Sequence, residues 1–454
     1  MLKRELTSLQ ATAINMIDMV GIGPFVTTAL VMSTMGSVQG ALLAWTIGML
    51  IAFVDACVWS ELGAKLPHAG GTYAFLRSAY GEHTWGRLMA FLFVWQTAFQ
   101  APLVVTSGAL GFAKYASYFY GEMSALQSKL LAAGVIVVLV ALLYRRIGEV
   151  GKISVVLWCG VVTTLLWIII SGIWVALQPD IVAGPTTLVP APLPSTEMPI
   201  TWSLLGAALL PTIYSYLGYY NVCHLGAEVA QPEKVIPRSM FVSILGIGAL
   251  YLAMQWSISS VLSVQTIANS GFVVSTFINV VWGSAAAQVV TVLVLVVAIS
   301  SLFSVILGYT RIPYAAAKDG LFFQIFALEH PTKSFPHASL LILGAVAVVF
   351  SLTLTLGDSI KAIITMRVFT QFIAQSVGLV LFRRRVGAAA MPWKMWLYPI
   401  PLMATIAAWL WIFSSAESMK QIVGLIAPVI GVAVYLALAK ARKDWPFLQN
   451  TEVA

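Results

Sequence analysis

Apolar stretches of about twenty residues recur from one end of the chain to the other, and they constrain its fold more than any other feature. At about 1.5 Å of rise per residue, each is long enough to cross a hydrocarbon layer of roughly 30 Å as a helix. Only 9% of the 454 residues are charged while 60% are hydrophobic, against about 25% charged in an ordinary soluble domain. Charges this sparse cannot coat a water-facing surface, so the bilayer is the expected solvent. Unpaired backbone groups are costly in hydrocarbon, and the expected fold is an all-α integral membrane protein.

The apolar runs predict twelve spans, near 8–35, 38–62, 84–119, 126–144, 152–177, 202–226, 236–262, 277–310, 338–356, 361–382, 394–414 and 420–440. An even number puts both termini on one side. If that side is cytoplasmic, only Lys114, Lys129, Lys361 and Lys420 of the 25 Lys and Arg fall outside, and Arg367 falls within a span. The remainder lie inside, as expected for a multi-pass protein of the cell membrane with cytoplasmic termini. The net charge of +8 is scattered and forms no stripe for nucleic acid. Lys3, Arg4 and Glu5 precede an apolar segment too long for a signal-peptide core, which is expected to stay as a span. Cys57, Cys159 and Cys223 all fall in spans and show no paired spacing. The longest polar piece, 178–200, is proline-rich and reads as an outer loop. A single membrane domain is expected.

Span one contains Gly21-Ile22-Gly23-Pro24 about 14 residues from its start, hence roughly 20 Å deep. Glycine weakens a helix and proline removes an N–H, so two half-helices are expected there. Leu217-Gly218-Tyr219 is the corresponding weak point of span six. Shifting the chain by about 195–200 residues also brings long span three onto long span eight and span five near span ten. Paired interrupted helices point to an inverted repeat with a midplane binding site. Spans one to five (8–177) and six to ten (202–382) would be the repeats, and spans eleven and twelve (394–440) peripheral additions.

A half-helix starting near Gly23 offers bare amides and a positive dipole end to a carboxylate. Carbonyls ending the first halves, around Met19 and around Tyr214, Ser215 and Leu217, suit an ammonium. Together they suit a zwitterionic amino acid.

The residues also resemble the amino acid, polyamine and organocation superfamily of transporters, over nearly the whole chain. The marks are Gly21-Ile22-Gly23-Pro24-Phe25, then Ser60-Glu61-Leu62-Gly63-Ala64-Lys65-Leu66-Pro67 with Ala69-Gly70-Gly71-Thr72-Tyr73, and Glu228-Val229-Ala230-Gln231-Pro232-Glu233 before Pro237-Arg238. The likeness implies the five-plus-five inverted repeat of the leucine-transporter type. It implies carboxylate recognition by the amides of Gly21, Ile22 and Gly23, amine recognition by carbonyls of Met19, Tyr214 and Leu217, and a gating aromatic at Tyr214. Relatives often have Gly-Ser-Gly-Ile-Phe at the first motif, and several proton-linked ones have a lysine where Val161 aligns. A hydroxyl and an amide are therefore missing beside the site, and coupling by that lysine does not carry over.

Asp18, Asp55 and Arg367 are ionisable residues inside spans, where a charge costs on the order of 2.5–3.5 kcal/mol on insertion scales. Asp18 or Asp55 is a candidate carrier of a coupling proton, and Arg367 a candidate for a carboxylate partner. Coupling to H+ or Na+ stays open at this level. Gln96, Gln100, Tyr216 and Tyr220 are candidates to line the pocket, polar and aromatic residues also serving to hold helices together. His68, His83, His224, His330 and His337 lack metal-ligand spacing, and no nucleophile or phosphate motif appears, so neither an enzyme nor a cofactor is expected. The expectation is a secondary transporter of amino acids; a polyamine carrier and a transporter-like nutrient sensor are the alternatives.

Overall fold

A computed structural model of the chain describes residues 4, 6–68, 70–121, 123–144, 150–178, 200–331 and 335–447, with the backbone alone over 150–157 and at 159. The proline-rich loop within 178–200, and Lys3, Arg145, Arg146 and Lys333 of the orientation count, lie outside the described residues.

The first span is a pair of helices, α1 (Ser8–Met19) and α2 (Gly23–Met35), bent by 49° at the glycine-proline break. There follow α3 (Val38–Lys65), a short α4 (Thr72–Tyr80), α5 (Trp85–Tyr120), α6 (Ala125–Leu143) and α7 (Val150–Leu177). The second half repeats the order. It begins with α8 (Trp202–Tyr216) and α9 (Asn221–His224), which flank a turn, and continues with α10 (Pro232–Ser259) and the short α11 (Val264–Asn269) and α12 (Val273–Trp282). Then come α13 (Ser284–Tyr309), α14 (Arg311–Lys318), α15 (His337–Thr353), α16 (Leu356–Arg367) and α17 (Ala374–Val386). Last are α18 (Ile400–Ser414) and α19 (Ser418–Arg442).

Counting α16 and α17 as one helix joined by the π-helical Val368–Ile373, eight described helices are long and apolar enough to cross a membrane, and the bent pair makes nine. The three other expected spans fall on the shorter apolar helices α8, α15 and α18. Six helix starts are closed by polar side chains, which satisfy backbone amides left bare there. Thr7 with Gln10 and Ser124 with Gln127 form reciprocal caps on α1 and α6. Ser37, Thr201, Ser263 and Thr355 cap α3, α8, α11 and α16.

Three boundaries differ from the expected ones. Residues between spans two and three hold α4, whose Phe75 and Leu76 are buried, but nine residues are too few to register as a span. Span eight begins at Ser284 rather than 277, because the chain turns at Gly283 with φ 84° and leaves α12 as a separate helix. The second half of span six is only one helical turn, followed by a tight turn at Gly226–Glu228.

The two halves pack on each other element by element: α2 on α8, α3 on α10, α5 on α13, and α6 on α15. Contacts between unlike elements are mirrored as well. α1 meets α7 as α8 meets α16, and α5 meets α16 as α13 meets α7. With five spans in each half, the second half enters the bilayer from the opposite side to the first, so the repeat is inverted. α18 and α19 lie outside this pairing, against α3 and against α5 and α16 respectively.

One buried ion pair pins the connection between α17 and α18 to α3. Both carboxylate oxygens of Glu61 accept from Arg383, at 2.5 and 2.7 Å, and the Met395 amide donates to Glu61 at 2.9 Å. Tyr398 lies 3.8 Å from the Arg383 guanidinium carbon. Removing one partner of a buried pair strands the other charge. Glu61→Ala is therefore expected to destabilise the fold by about 3 kcal/mol, seen as a lowered melting temperature of the detergent-solubilised protein. An unchanged melting curve would show that the pair holds nothing together.

Candidate functional site

The α2 helix starts at a break inside the protein, and no side chain closes its end. Its cap position, Ile22, makes no side-chain hydrogen bond, and Pro24 in the first turn has no N–H. Among the described residues the amides of Gly21 and Ile22 find no acceptor. Opposite them, α8 ends at Tyr216 and the chain turns through 217–220 before α9.

Gly218 shows why the two breaks can meet. Its φ is +116°, which L side chains rarely adopt, and a Cβ there would lie 2.8 Å from the Asp18 carbonyl carbon and the Met19 nitrogen. The joints touch backbone to backbone. Tyr251 of α10 ties them further: its hydroxyl lies 2.9 Å from the Met19 carbonyl and 3.2 Å from the Ser215 carbonyl. The hydroxyls of Thr27 and Ser215 are 2.7 Å apart.

Between the joints is a cavity with about 60 Å³ of room for the centres of water molecules, enough for roughly four to six of them. Asp18, Met19, Gly21, Ile22 and Gly23 line one side, and Tyr214, Leu217, Gly218 and Tyr220 another. α5 adds Val104 and Gly108, α13 adds Ser301 and Tyr309, and α16 adds Arg367. The Tyr214 hydroxyl is 2.8 Å from that of Ser107, which holds its ring over the Gly23 end of α2.

Arg367 is 2% exposed, and its guanidinium donates to the hydroxyls of Tyr220 and Tyr309. Its Nε has no partner, and it joins no salt bridge among the described residues. The Asp18 carboxylate likewise accepts no hydrogen bond and joins no salt bridge among those residues. One cavity thus contains a carboxyl and a guanidinium side chain, each with unused bonding capacity. Charges in a low-dielectric interior need partners, and these two groups have bonding capacity left for them.

The structure separates the remaining candidates from this cavity. Ser215 lies behind it, its hydroxyl engaged with Thr27. Asp55 is 1% exposed and outside the lining. It accepts from Trp59 at 2.9 Å, from Trp409 at 3.1 Å and from Tyr219. Gln96 accepts from Thr370, and the Tyr216 hydroxyl donates to the Trp45 carbonyl. Gln100 reaches the cavity only through Tyr309, to which its amide donates at 3.4 Å. Sequence reasoning missed the α13 wall, Ser301 and Tyr309. The only signal there was a serine pair, Ser300 and Ser301, inside a run of 26 helical and mostly apolar residues.

A family model described as amino acid permease matches residues 6–438. The chain is 25% identical to the serine/threonine exchanger SteT of Bacillus subtilis over 449 residues, covering 97% of this chain and 98% of that one. It is 21% identical to the methylthioribose transporter of Bacillus subtilis, covering 97% and 94% of the two chains. With the human cystine/glutamate transporter it shares 23% identity, over 96% of this chain and 85% of that one.

The approach at Gly218 gives a direct test of how the site is assembled. Gly218→Ala forces a methyl group against the Asp18–Met19 backbone, whereas at Gly23 the nearest neighbour of an added methyl is the movable Tyr214 ring at 3.3 Å. Gly218→Ala is expected to cost at least about tenfold in substrate affinity with helix content unchanged, and Gly23→Ala clearly less. Binding to purified protein, alongside circular dichroism, checks both; equal losses would mean that contact between the joints does not shape the cavity.

Proposed function

Because the chain belongs to the amino acid permease family, we propose that it is a secondary carrier of small neutral amino acids, binding them between the joints of spans one and six. The observation that carries this reading is the pairing of Asp18 and Arg367 around the bare amides of Gly21 and Ile22. The substrate carboxylate would sit on the amides of Gly21, Ile22 and Gly23 with the Arg367 guanidinium near it. The amine would face Asp18 and the carbonyls of Tyr214 and Leu217. Met19 contributes less than its position suggests, since its carbonyl already accepts from Tyr251.

The formal charges of Asp18 and Arg367 cancel, which favours a ligand whose own charges cancel. A polyamine would bring two or more positive charges beside an unpaired guanidinium, at a Coulombic cost that low dielectric magnifies. The limited volume favours side chains of serine or threonine size, consistent with the serine/threonine exchanger among the relatives. An acidic substrate could place its second carboxylate on Arg367, as the name of the cystine/glutamate relative invites. That second reading rests on the free Nε of Arg367.

Transport would proceed by alternating access, with spans one and six moving around a fixed site. The protein would lie in the cell membrane with both termini cytoplasmic, and Tyr214 would act as the aromatic gate over the bound substrate.

Uptake of a radiolabelled neutral amino acid into proteoliposomes, with unlabelled competitors, tests the assignment. Serine, threonine or alanine is expected to compete, putrescine is not, and glutamate separates the second reading from the first. Arg367→Gln is expected to weaken binding by roughly 10- to 100-fold, the worth of a charged hydrogen bond. Competition by putrescine alone would overturn the neutral amino acid assignment.

A further inference from the structure

Asp55 is unusual for a carboxylate inside a membrane. It is 1% exposed, forms no salt bridge among the described residues, and is nevertheless held by three donors. Oδ2 accepts from the Trp59 indole and the Tyr219 hydroxyl, and Oδ1 from the Trp409 indole. Two indole N–H groups and a phenol O–H supply the three hydrogen bonds that an ionised carboxylate accepts, and only the phenol could also accept one from a neutral acid.

Its partners come from three places. Trp59 is one turn along α3. Trp409 is on α18, outside the paired halves, with its ring stacked on Phe372 at 3.7 Å between centroids. Tyr219 is in the joint of span six, between Gly218, which touches the Asp18 backbone, and Tyr220, which lines the cavity and accepts from Arg367. Asp55 therefore grips the joint from behind while the substrate site occupies its front.

The three donors respond differently to a proton. An indole N–H only donates, whereas a phenol donates or accepts. If Asp55 takes a proton from water on Oδ2, its new O–H can be accommodated only by Tyr219 turning from donor to acceptor. The Tyr219 proton must then find another acceptor, and the joint loses a charge-assisted bond. We propose that Asp55 and Tyr219 form a proton-operated latch, with Asp55 as a positioning residue that fixes the span-six joint when ionised and releases it when neutral. This deepens the carrier reading and rests on it, because the joint matters only if it moves during transport.

Other titratable groups surround the latch. α3 contributes Cys57 and Glu61, and Glu61 is bound to Arg383. The joint and α9 contribute Tyr219, Tyr220, Cys223 and His224, while Asp18 of α1 and Arg367 of α16 lie across the joint on the cavity side. From α10 comes Tyr251, already bound to backbone. α18 presents the Trp409 indole.

The test compares wild type, Asp55→Asn, Tyr219→Phe and Trp409→Phe at a series of pH values. Infrared difference spectra of the purified protein are expected to show a carboxyl band that appears on acidification and is missing in Asp55→Asn. In proteoliposomes, the dependence of uptake on pH at equal internal and external pH is expected to flatten by about tenfold in Tyr219→Phe. In that variant Asp55 and both indoles remain. Trp409→Phe removes a donor without touching the reversible one, and is expected to keep a pH response displaced along the axis. A Tyr219→Phe protein that binds substrate and retains the wild-type pH profile overturns the latch. So does an acid-induced carboxyl spectrum that Asp55→Asn leaves unchanged. The infrared readout needs no substrate, so failure of the amino acid assignment leaves it standing as a separate result.

Discussion

Backbone that leaves the helix inside a bilayer must find partners there or line a cavity, and this requirement organises the middle of the protein. The chain interrupts two helices at equal depth, after Met19 and after Tyr216, and neither interruption is tolerable alone in hydrocarbon. Placed against each other, they satisfy part of the exposed backbone through Tyr251 and leave the rest around one small space. The inverted pairing of the halves is what brings the breaks together, since α2 packs on α8 as the first helices of two opposed repeats.

The second consequence is electrostatic. A cavity surrounded by apolar helices cannot carry a net charge cheaply, and here Asp18 and Arg367 balance one another without meeting in a salt bridge. A closed pair would be stable and inert. Held apart, each keeps capacity for a ligand, and Tyr220 and Tyr309 hold Arg367 in place without neutralising it. The architecture shared with amino acid permeases supplies the joints, and on the proposed reading this pair would sort one class of substrate from another.

Much of this was legible in the residues, for physical reasons. Glycine next to proline at residue 21–24 marks a break because the two residues oppose a helix by different mechanisms. Gly218 was visible for the same reason. Asp18, Asp55 and Arg367 stood out because charges are rare in spans. What stayed hidden was the side each residue faces. Span positions of Asp18 and Asp55 look alike in sequence, yet one lines the cavity and the other is enclosed by two indoles and a phenol. Tyr309 and Ser301 were hidden because the α13 helix is apolar all round, so no periodicity marks its inner face. Helices α4 and α12 escaped because an amphipathic helix of about ten residues leaves no hydropathy peak of membrane length.

The bonds between the joints also limit what kind of motion the fold can make. Tyr251 links α10 to the end of α1 and the end of α8, Thr27 of α2 meets Ser215 of α8, and Gly218 packs on Asp18. Near one face of the protein, the strand-like bridge of Leu6 with Val229 joins the segment before α1 to the segment after α9. These ties bind spans one and six to each other and to α10. The opposite wall of the cavity, from α5, α13 and α16, contacts them through the Ser107–Tyr214 pair, the Tyr115 hydroxyl on the Phe25 carbonyl and the tyrosines around Arg367. It has no counterpart, among the described residues, of the backbone bridge at Leu6 or the backbone packing at Gly218. On the proposed carrier reading, opening of the cavity would follow the boundary between spans one and six on one side and α5, α13 and α16 on the other, and Arg367, whose tyrosines stand on both sides of that boundary, would be the charge that feels it first.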